Sequence, residues 1–183
     1  PFRAATSDPL AAIETLALWK RREAESRGIA ACLGVHPYKQ PRLRELLASA
    51  APPPGFHAKP GPALDAATAR GGALLAWSAS APPTLPAQAA SRGVELLWLE
   101  DGFLRSAGLG AAFRAGASFA LDRRGPYYDP AAGSDLEHLL ATVNISETLR
   151  ARARALRAAV VARGFTKYNL RGVAPVIAAP PGR

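Results

Sequence analysis

The sequence has one cysteine, no methionine and no long hydrophobic run, and each absence excludes a class of protein. A single cysteine, Cys32, cannot form a disulfide within the chain, which excludes a disulfide-stabilised scaffold and fits a reducing cytoplasm. No run approaches the roughly 18 apolar residues of a membrane span, and the N-terminus lacks a basic-then-apolar signal pattern. Since even an initiator methionine is missing, we expect a fragment or a processed chain.

Acidic residues are also scarce. The chain has 14 Asp and Glu against 23 Lys and Arg, which gives a formal net charge of +9. Such a charge is typical of proteins that bind nucleic acids or anionic membranes. Here the basic residues are spread along the chain instead of forming one block, so we expect no nucleic-acid partner. A basic nucleic-acid-binding domain is kept as the least favoured alternative.

The first 70 residues have the pattern of helices and loops. The 183-residue chain is 49% apolar, enough to bury the core of one domain. Asp8 and Pro9 begin a helix that Gly28 ends, and a second short helix begins at Pro41. The segment Ala51–Pro62 is too rich in proline and glycine for regular structure, so we predict a loop or linker there.

Short apolar runs after residue 70 predict strands. Ala73–Ala79 and Val94–Leu99 are continuous apolar runs bounded by Gly, Pro and Ser, as in strands buried on both faces of a parallel sheet. Ser118–Asp122 is a third strand candidate and Pro126–Tyr128 a fourth. The segment Gln88–Arg92 is interpreted as the tail of a crossover helix.

The last helices are predicted from their capping residues. Ser134 and Glu137 form a capping-box pattern that opens a short helix through Leu140. Ser146 begins a longer helix that runs to about Arg163. Strands that alternate with helices in this way indicate the α/β class.

The clearest candidate for chemistry is the end of the second apolar run, where Glu100, Asp101 and Gly102 follow one another. In open α/β sheets, ligands bind beyond the carboxyl ends of the strands, so this acidic pair is well placed for catalysis. Adjacent carboxylates repel each other, which can make one of them a useful acid or base near neutral pH. Gly102 would let the backbone turn sharply and a ligand approach closely. The alternative is a solvated turn in which Asp101 caps the next helix.

Five motifs in a fixed order carry a family resemblance over about Ala73–Leu170. They are an EDGFLRS segment followed by GLG, a strand that ends in Asp, a G-YYD segment, an S-LE-LL segment and KYNL. Their residues are Glu100–Ser106 with Gly108–Gly110, Ser118–Asp122, Gly125 with Tyr127–Asp129, Ser134 with Leu136–Leu140, and Lys167–Leu170. This ordered set resembles the Kdo transferases of capsule polysaccharide biosynthesis, the KpsC/LpsZ type.

The resemblance implies an architecture for the chain. Residues 1–70 would be a helical inter-module linker with a Pro-rich loop, similar to the segment that leads into the second of the family's two tandem transferase modules. Residues 71–170 would be the Rossmann-like, acceptor-side half of a GT-B-type module, and residues 171–183 a tail that leads to an absent donor-binding subdomain. The chain alone is therefore expected to be inactive. Its expected partners are that donor-binding subdomain, a second transferase module and a lipid-linked sugar acceptor.

The same resemblance implies a reaction. Kdo would be transferred from CMP-Kdo, with retention at the anomeric carbon, to a glycolipid acceptor in capsular polysaccharide biosynthesis and export. We expect no cofactor beyond the donor substrate CMP-Kdo, no metal, and a cytoplasmic location peripheral to the inner membrane. The alternative is a catalytically incomplete interaction module, a degenerate fragment of the family.

The implied site residues lie in the matching motifs. Asp101, with Glu100 beside it, would accept a proton from the acceptor hydroxyl or position that hydroxyl. Arg105 would pair with the carboxylate of an acidic sugar, and an Arg–Asp bridge that braces the turn is the alternative. Ser106 would donate a hydrogen bond to substrate or cap a helix. The other expected substrate-binding residues, for which strand-end packing or a helix-exit turn is the alternative, are Tyr128, Asp129, Lys167 and Asn169.

The histidines give no metal site. His36 and Pro37 resemble an HP element of certain CMP-sugar transferases, but that element follows the acidic motif there and precedes it here, so we interpret it as a chance match. Lys39 alone preserves the aromatic–lysine pair that the Kdo family usually shows at this place. His57 and His138 have no partners that suggest metal binding.

Overall fold

The computed structural model describes residues 9–169, apart from 109–112 and 114–115. Four features of the sequence analysis therefore lie outside the described residues: the helix cap Asp8, Gly110 of the GLG motif, Leu170 and the tail 171–183.

Five strands form one mixed sheet in the order β2-β1-β3-β4-β5. The first four strands are parallel, and β5 is antiparallel to β4, with Asp101 opposite Phe119. The α/β class is thereby confirmed. The strands are β1 (Ile29–Leu33), β2 (Gly55–His57), β3 (Ala73–Trp77), β4 (Leu96–Asp101) and β5 (Phe119–Asp122).

Six α-helices accompany the sheet in the part of the chain that is described. Prolines in their first turns suit α2, α3 and α4, because a first-turn residue needs no backbone N–H donor. Ser134 and Glu137 form the predicted capping box of α5, with both reciprocal hydrogen bonds present. The helices are α1 (Pro9–Arg27), α2 (Gln40–Leu46), α3 (Pro60–Arg70), α4 (Leu85–Ser91), α5 (Asp135–Thr142) and α6 (Glu147–Ala162).

The core has two layers, one on each face of the sheet. On one face, α3 and α4 pack their apolar side chains against β1, β3 and the even-numbered residues of β4. On the other face, Leu43 and Leu47 at α2 pack against β1, β3 and the odd-numbered residues of β4. Successive side chains of a strand point to opposite faces, so this arrangement fixes where each residue at the end of β4 points.

The N-terminal third contains more of the sheet than its sequence predicts. Strands β1 and β2 both lie within residues 1–70, a stretch interpreted above as a helical linker, and they pair with each other and with β3. The prediction of a loop or linker over the whole of Ala51–Pro62 is wrong, because this segment includes β2 and the start of α3. β2 has three residues and a single strand neighbour, β1. Its extended conformation therefore depends on pairing with β1 and not on its own composition. The inter-module role of this stretch stays a prediction.

The other predicted elements are confirmed, with one exception. β3, β4, β5, α5 and α6 coincide with the predicted segments to within a few residues, and α4 contains the predicted end of a crossover helix. Pro126–Tyr128 is a turn and not a strand, and the Asp129 N–H donates to the Pro126 carbonyl at 2.9 Å to close it. Pro126 cannot donate to a ladder, which disfavours a strand there. Within the described residues, no helix combines the length and hydropathy of a membrane span.

Candidate functional site

The carboxyl ends of the parallel strands meet at one edge of the sheet. The strand order reverses between β1 and β3, and a crevice at such a reversal is the usual ligand position in open α/β sheets. Lys39 follows β1, Ser78 follows β3 and Asp101 ends β4 at this edge. The fold therefore places the acidic motif among polar residues from two other strand ends.

Asp101 lies at the centre of this edge and binds two cations. Lys39 Nζ donates to both carboxylate oxygens, at 3.1 Å to Oδ1 and 3.0 Å to Oδ2. Arg105 Nε donates to Oδ2 of the same carboxylate. All three residues are buried, with exposed fractions of 6% for Lys39, 8% for Asp101 and 6% for Arg105. Both oxygens of Asp101 are thus engaged inside the protein, which suits a group that positions its two cations.

Lys39 is the member of this cluster that the sequence analysis did not include among its candidate site residues. Its Nζ lies over the Trp77 ring at 3.5 Å from the centroid, a cation–π contact. Burial lowers the pKa of Lys39, while the hydrogen bonds and charge of Asp101 oppose that effect and the like charge of Arg105 adds to it. When Lys39 is protonated, the cluster of Lys39, Asp101 and Arg105 holds two positive charges and one negative charge.

Arg105 turns its guanidinium inward. Besides the bond from Nε to Asp101, Nη2 donates to the Tyr38 hydroxyl at 3.3 Å, and the guanidinium carbon stands 5.5 Å from the centroid of the Tyr168 ring. The Arg–Asp bridge, stated above as the alternative interpretation, is therefore formed. Nη1 is the least engaged nitrogen, with one long contact of 3.5 Å to Ser106 Oγ.

Ser106 and the KYN segment build the wall beside the cluster. Ser106 is buried, and its hydroxyl donates to the Gly108 carbonyl at 2.6 Å. The Lys167 carbonyl accepts from the Arg105 N–H at 2.8 Å, and Asn169 Nδ2 donates to the Ser106 carbonyl at 3.2 Å. Residues 105–108 form the RSAG turn, which Lys167 holds through its backbone carbonyl and Asn169 through its side-chain amide.

Glu100 points to the opposite face of the sheet from Asp101. Side chains of β4 alternate between half-buried and buried, and Glu100 falls on the half-buried face with Leu96 and Trp98. Strand alternation thus directs the two adjacent carboxylates to opposite faces of the sheet, so the structure does not bring them together at one face. Glu100 Oε1 instead accepts the N–H of Asp101 at 3.0 Å.

Tyr128 lies on the Glu100 face and is 52% exposed. Partial burial raises the pKa of its hydroxyl, and the negative charge of Glu100 raises it further. Asp129 closes a local turn, with Oδ1 accepting the Ala131 N–H at 2.9 Å. Tyr127, between the two faces, donates its hydroxyl to the Asp101 carbonyl at 3.1 Å. The YYD segment is thereby attached to the end of β4.

Gly102 is required because another segment of the same chain, and not a ligand, passes close to its backbone. A Cβ at this position would overlap the Ser118 hydroxyl and lie 2.9 Å from Ser118 Cβ. The Gly102 N–H donates to the Ser118 carbonyl at 3.0 Å, and its backbone is not left-handed. The expectation that Gly102 makes room for a ligand is corrected accordingly: it makes room for the chain entering β5.

Asp122, the residue that ends the second motif, joins two elements. Its Oδ1 accepts the N–H groups of Arg124 and Gly125 at 2.8 and 3.0 Å, and its Oδ2 accepts the N–H of Asp135 at 2.8 Å. A buried carboxylate with three backbone donors is satisfied without any ligand. This motif therefore serves the fold.

The structure brings Asp101, Arg105 and Ser106 together at one face and Glu100, Tyr128 and Asp129 at the other. The sequence analysis missed Lys39, Tyr38 and Trp77, which complete the first group. Lys39 did carry a usable signal, since it preserves the lysine of the aromatic–lysine pair that the resembled family shows at this place. Trp77, the last residue of β3, was hidden within an apolar run.

The remaining histidines and the cysteine add no chemistry. His36 is exposed and packs its ring 4.8 Å from that of Tyr38, beside the cluster. Among the described residues, no three His, Cys, Asp or Glu side chains are arranged to hold a metal ion. Burial raises the pKa of the Cys32 thiol to about 12, so it is not a nucleophile at neutral pH.

Comparison with known proteins adds a family and a fold. The family model for "Capsule polysaccharide biosynthesis protein" matches residues 72–172. "Lipopolysaccharide-processing protein LpsZ" of Rhizobium meliloti is 43% identical over 88 residues, covering 46% of this chain and 20% of that protein. "Capsule polysaccharide modification protein LipA" of Neisseria meningitidis is 38% identical over 101 residues, covering 53% of this chain and 14% of that protein. This chain thus matches a fifth or less of the length of each relative.

Solved structures share the fold over most of the chain. One of them is "Thermosulfurimonas dismutans KpsC, beta Kdo 2,4 transferase", with a TM-score of 0.59 and 24% identity. The match covers 84% of this chain and 46% of that protein. Elements before residue 72, which the family model does not reach, are therefore part of the shared fold.

Proposed function

The chain belongs to the capsule polysaccharide biosynthesis protein family, whose model matches more than half of it, and from this premise we propose that it is part of a glycosyltransferase. The proposed reaction transfers Kdo from CMP-Kdo to a glycolipid acceptor, with retention at the anomeric carbon, in capsule biosynthesis and export. The chain supplies the acceptor-side half of a GT-B-type module. The likeness to a fold whose solved example is named a beta Kdo transferase supports this proposal.

The observation that carries the proposal is the charge of the cluster at the end of β4. Lys39 and Arg105 bring two buried positive charges to one carboxylate, that of Asp101. An excess positive charge in a poorly solvated place is stabilised by an anionic ligand. Kdo is an acidic sugar, and its carboxylate is a ligand of the required sign and geometry.

Each residue then has a role in the proposed reaction. Lys39 and Arg105 attract the sugar carboxylate, and Asp101 acts by holding the two cations in place. Ser106, Lys167 and Asn169 hold the RSAG turn that carries Arg105. Glu100 is the carboxylate of the pair that is not enclosed by cations, so it is the group we assign to accept the proton of the acceptor hydroxyl.

Exposed basic residues support a membrane-surface acceptor. On α6, Arg150, Arg152 and Arg157 are exposed. Basic side chains near an anionic lipid surface each contribute about 1 kcal/mol of attraction. We extend the proposal to a chain that works in the cytoplasm at the inner membrane surface, where a lipid-linked acceptor is presented.

The proposal is tested by the binding of Kdo and of its neutral methyl ester, measured by calorimetry. We expect the chain to bind Kdo and to bind the ester at least tenfold more weakly, because a charge-assisted hydrogen bond contributes about 1.5–3 kcal/mol. Lys39→Met should weaken Kdo binding by a similar factor. The matched control is Lys20→Met on α1, which removes an exposed lysine and should leave binding unchanged.

Two results would contradict the proposal. One is equal affinity for Kdo and its ester, since the cluster would then not recognise the carboxylate. The other is undiminished Kdo binding by a folded Lys39→Met variant. Either result would favour the alternative, a catalytically incomplete interaction module of the same family.

A further inference from the structure

A groove of about 680 Å³ lies on the face of β4 opposite the Lys39 cluster. Its floor is formed by Leu96 and Trp98 of β4, one wall by α4 and the prolines before it, and the other wall by the loop 123–132. After β4 the chain returns as the antiparallel strand β5 instead of crossing over through a helix. This topology leaves the groove open, where a crossover helix would otherwise cover the sheet.

The groove has the composition of a small-molecule site. Its volume is within the range of about 300–1,000 Å³ that such sites occupy, and its floor is apolar with a few polar groups around it. Trp98 and Tyr128 contribute aromatic surface. Arg124 contributes N–H donors, Asp129 contributes acceptor oxygens, and the hydroxyl of Tyr128 can do both.

The charges around the groove are balanced, unlike those of the Lys39 cluster. Arg123 pairs with Glu95 at 3.3 Å, and Arg124 pairs with Asp135 at 3.2 Å. A rim with paired charges and both donors and acceptors suits hydroxyl groups, which donate and accept hydrogen bonds at the same atom. The groove is therefore suited to a polyhydroxylated ring and not primarily to an anion.

The end of the groove at the strand edge leads to Glu100. Ser78 and Tyr128 line this end, and the charge of Glu100 acts on the Tyr128 hydroxyl. A sugar that lies over Trp98 with one hydroxyl directed toward Tyr128 would therefore bring that hydroxyl near a carboxylate. Glu100 would take the proton of that hydroxyl as its oxygen forms the new glycosidic bond to the anomeric carbon of Kdo. The bond that breaks joins this carbon to the nucleotide phosphate, and CMP leaves with the electron pair from the face that the hydroxyl approaches, as retention requires.

We propose that this groove binds the acceptor sugar, and this inference rests on the proposed function. Trp98 and Tyr128 contact the ring, Arg124 and Asp129 bind its hydroxyls, and Glu100 receives the proton of the reacting hydroxyl. The two faces of β4 then have different roles in the proposed reaction. The Asp101 face recognises a carboxylate, and the Glu100 face holds the hydroxyl that attacks.

The test is an NMR titration of the chain with the methyl glycoside of Kdo methyl ester, a neutral polyhydroxylated ring without the carboxylate that the Lys39 cluster is proposed to bind. We expect the signal of the Trp98 indole N–H to shift, while that of Trp19, an exposed residue of α1, stays in place. Tyr128→Ala removes an exposed ring and should weaken this binding about tenfold, the loss of a hydrogen bond and a ring contact. Trp19→Phe is the matched control and should bind as the unmodified chain does.

The titration is repeated with Lys39→Met to separate the two proposals. If groove binding persists in this variant while discrimination between Kdo and its ester is lost, both proposals are supported. If the unmodified chain already binds Kdo and its ester equally but Trp98 still shifts, the groove stands and the proposed function falls. No shift at Trp98, or equal affinity in Tyr128→Ala, would overturn the groove as a sugar site and favour a protein or another segment as its occupant.

Discussion

The end of β4 is surrounded by most of the buried charge at this edge of the sheet. The charged residues are those of the cluster, Lys39, Asp101 and Arg105. Removing ions from water is costly, and the cost is offset only where geometry and hydrogen bonds are good. Here Asp101 accepts from both cations, the Trp77 ring lies under Lys39, and the Tyr38 hydroxyl accepts from Arg105. Each charge in the cluster therefore depends on the others.

Asp101→Asn should expose that dependence. The change keeps the shape of the side chain but leaves Lys39 and Arg105 without a counter-ion, and breaking a buried pair costs about 3–5 kcal/mol. Urea unfolding measures the free energy of unfolding directly. The matched control is Asp65→Asn, which breaks an exposed pair with Arg92 and should cost about 0–1 kcal/mol. Equal losses in the two variants would show that the cluster is not the buried ion network described here.

At the residue scale, two of the three residues of the cluster were predicted from the sequence. Asp101 and Arg105 stand four residues apart in one motif, so their proximity could be anticipated. Lys39 contacts Asp101 across 62 positions of the chain, and only the pairing of β1 with β3 and β3 with β4 brings them together. The separation of Glu100 from Asp101 was available from strand alternation alone once β4 was known to extend through Asp101.

Among the secondary-structure elements, the junction of β4 and β5 sets the geometry of both candidate sites. Gly102 passes so close to Ser118 that it has no room for a side chain, and the two residues share a backbone hydrogen bond. Tyr127 adds a bond from its hydroxyl to the Asp101 carbonyl. The turn that carries Arg105 therefore starts from a closely packed point.

Gly102→Ala should loosen this junction. The added Cβ would overlap Ser118 backbone and side-chain atoms, and overpacking of this kind costs about 1–3 kcal/mol. Gly133→Ala is the control, because nothing lies within 4 Å of its Cβ position. At an unhindered position this change is neutral or stabilises by up to about 1 kcal/mol. Denaturant unfolding of the two variants should therefore differ in direction, and a Gly102→Ala variant as stable as Gly133→Ala would contradict the packing.

Elements with strong local signals were predicted, and those that depend on partners were not. The capping residues of α5 and α6 and the apolar runs of β3 and β4 determine their elements locally. β2 is three residues of a Pro-rich segment, and pairing with β1 forms it. Pro126–Tyr128 has the aromatic composition of a strand, but the segment forms a turn that the hydrogen bond from the Asp129 N–H to the Pro126 carbonyl closes.

For the molecule as a whole, the donor-binding half expected from the sequence stays a prediction. The match to the solved transferase fold covers 84% of this chain but only 46% of that protein. Several apolar side chains of the outer helices are exposed, among them Leu140, Leu156 and Val161 on α5 and α6. A contiguous exposed apolar patch would be a place for another protein surface to pack. The proposed half-module would pack there against a donor-binding half.

The central claim is that this chain carries the acceptor-side half of a Kdo transferase, with Lys39 in its site. The most direct measurement is Kdo transfer from CMP-Kdo by a chimera in which residues 9–169 replace the matching part of the Thermosulfurimonas dismutans beta Kdo 2,4 transferase. We predict that the chimera transfers Kdo, that Lys39→Met in the chimera reduces transfer at least tenfold, and that Lys20→Met does not. A chimera that unfolds cooperatively yet transfers no Kdo, or one whose transfer is unchanged by Lys39→Met, would contradict the account.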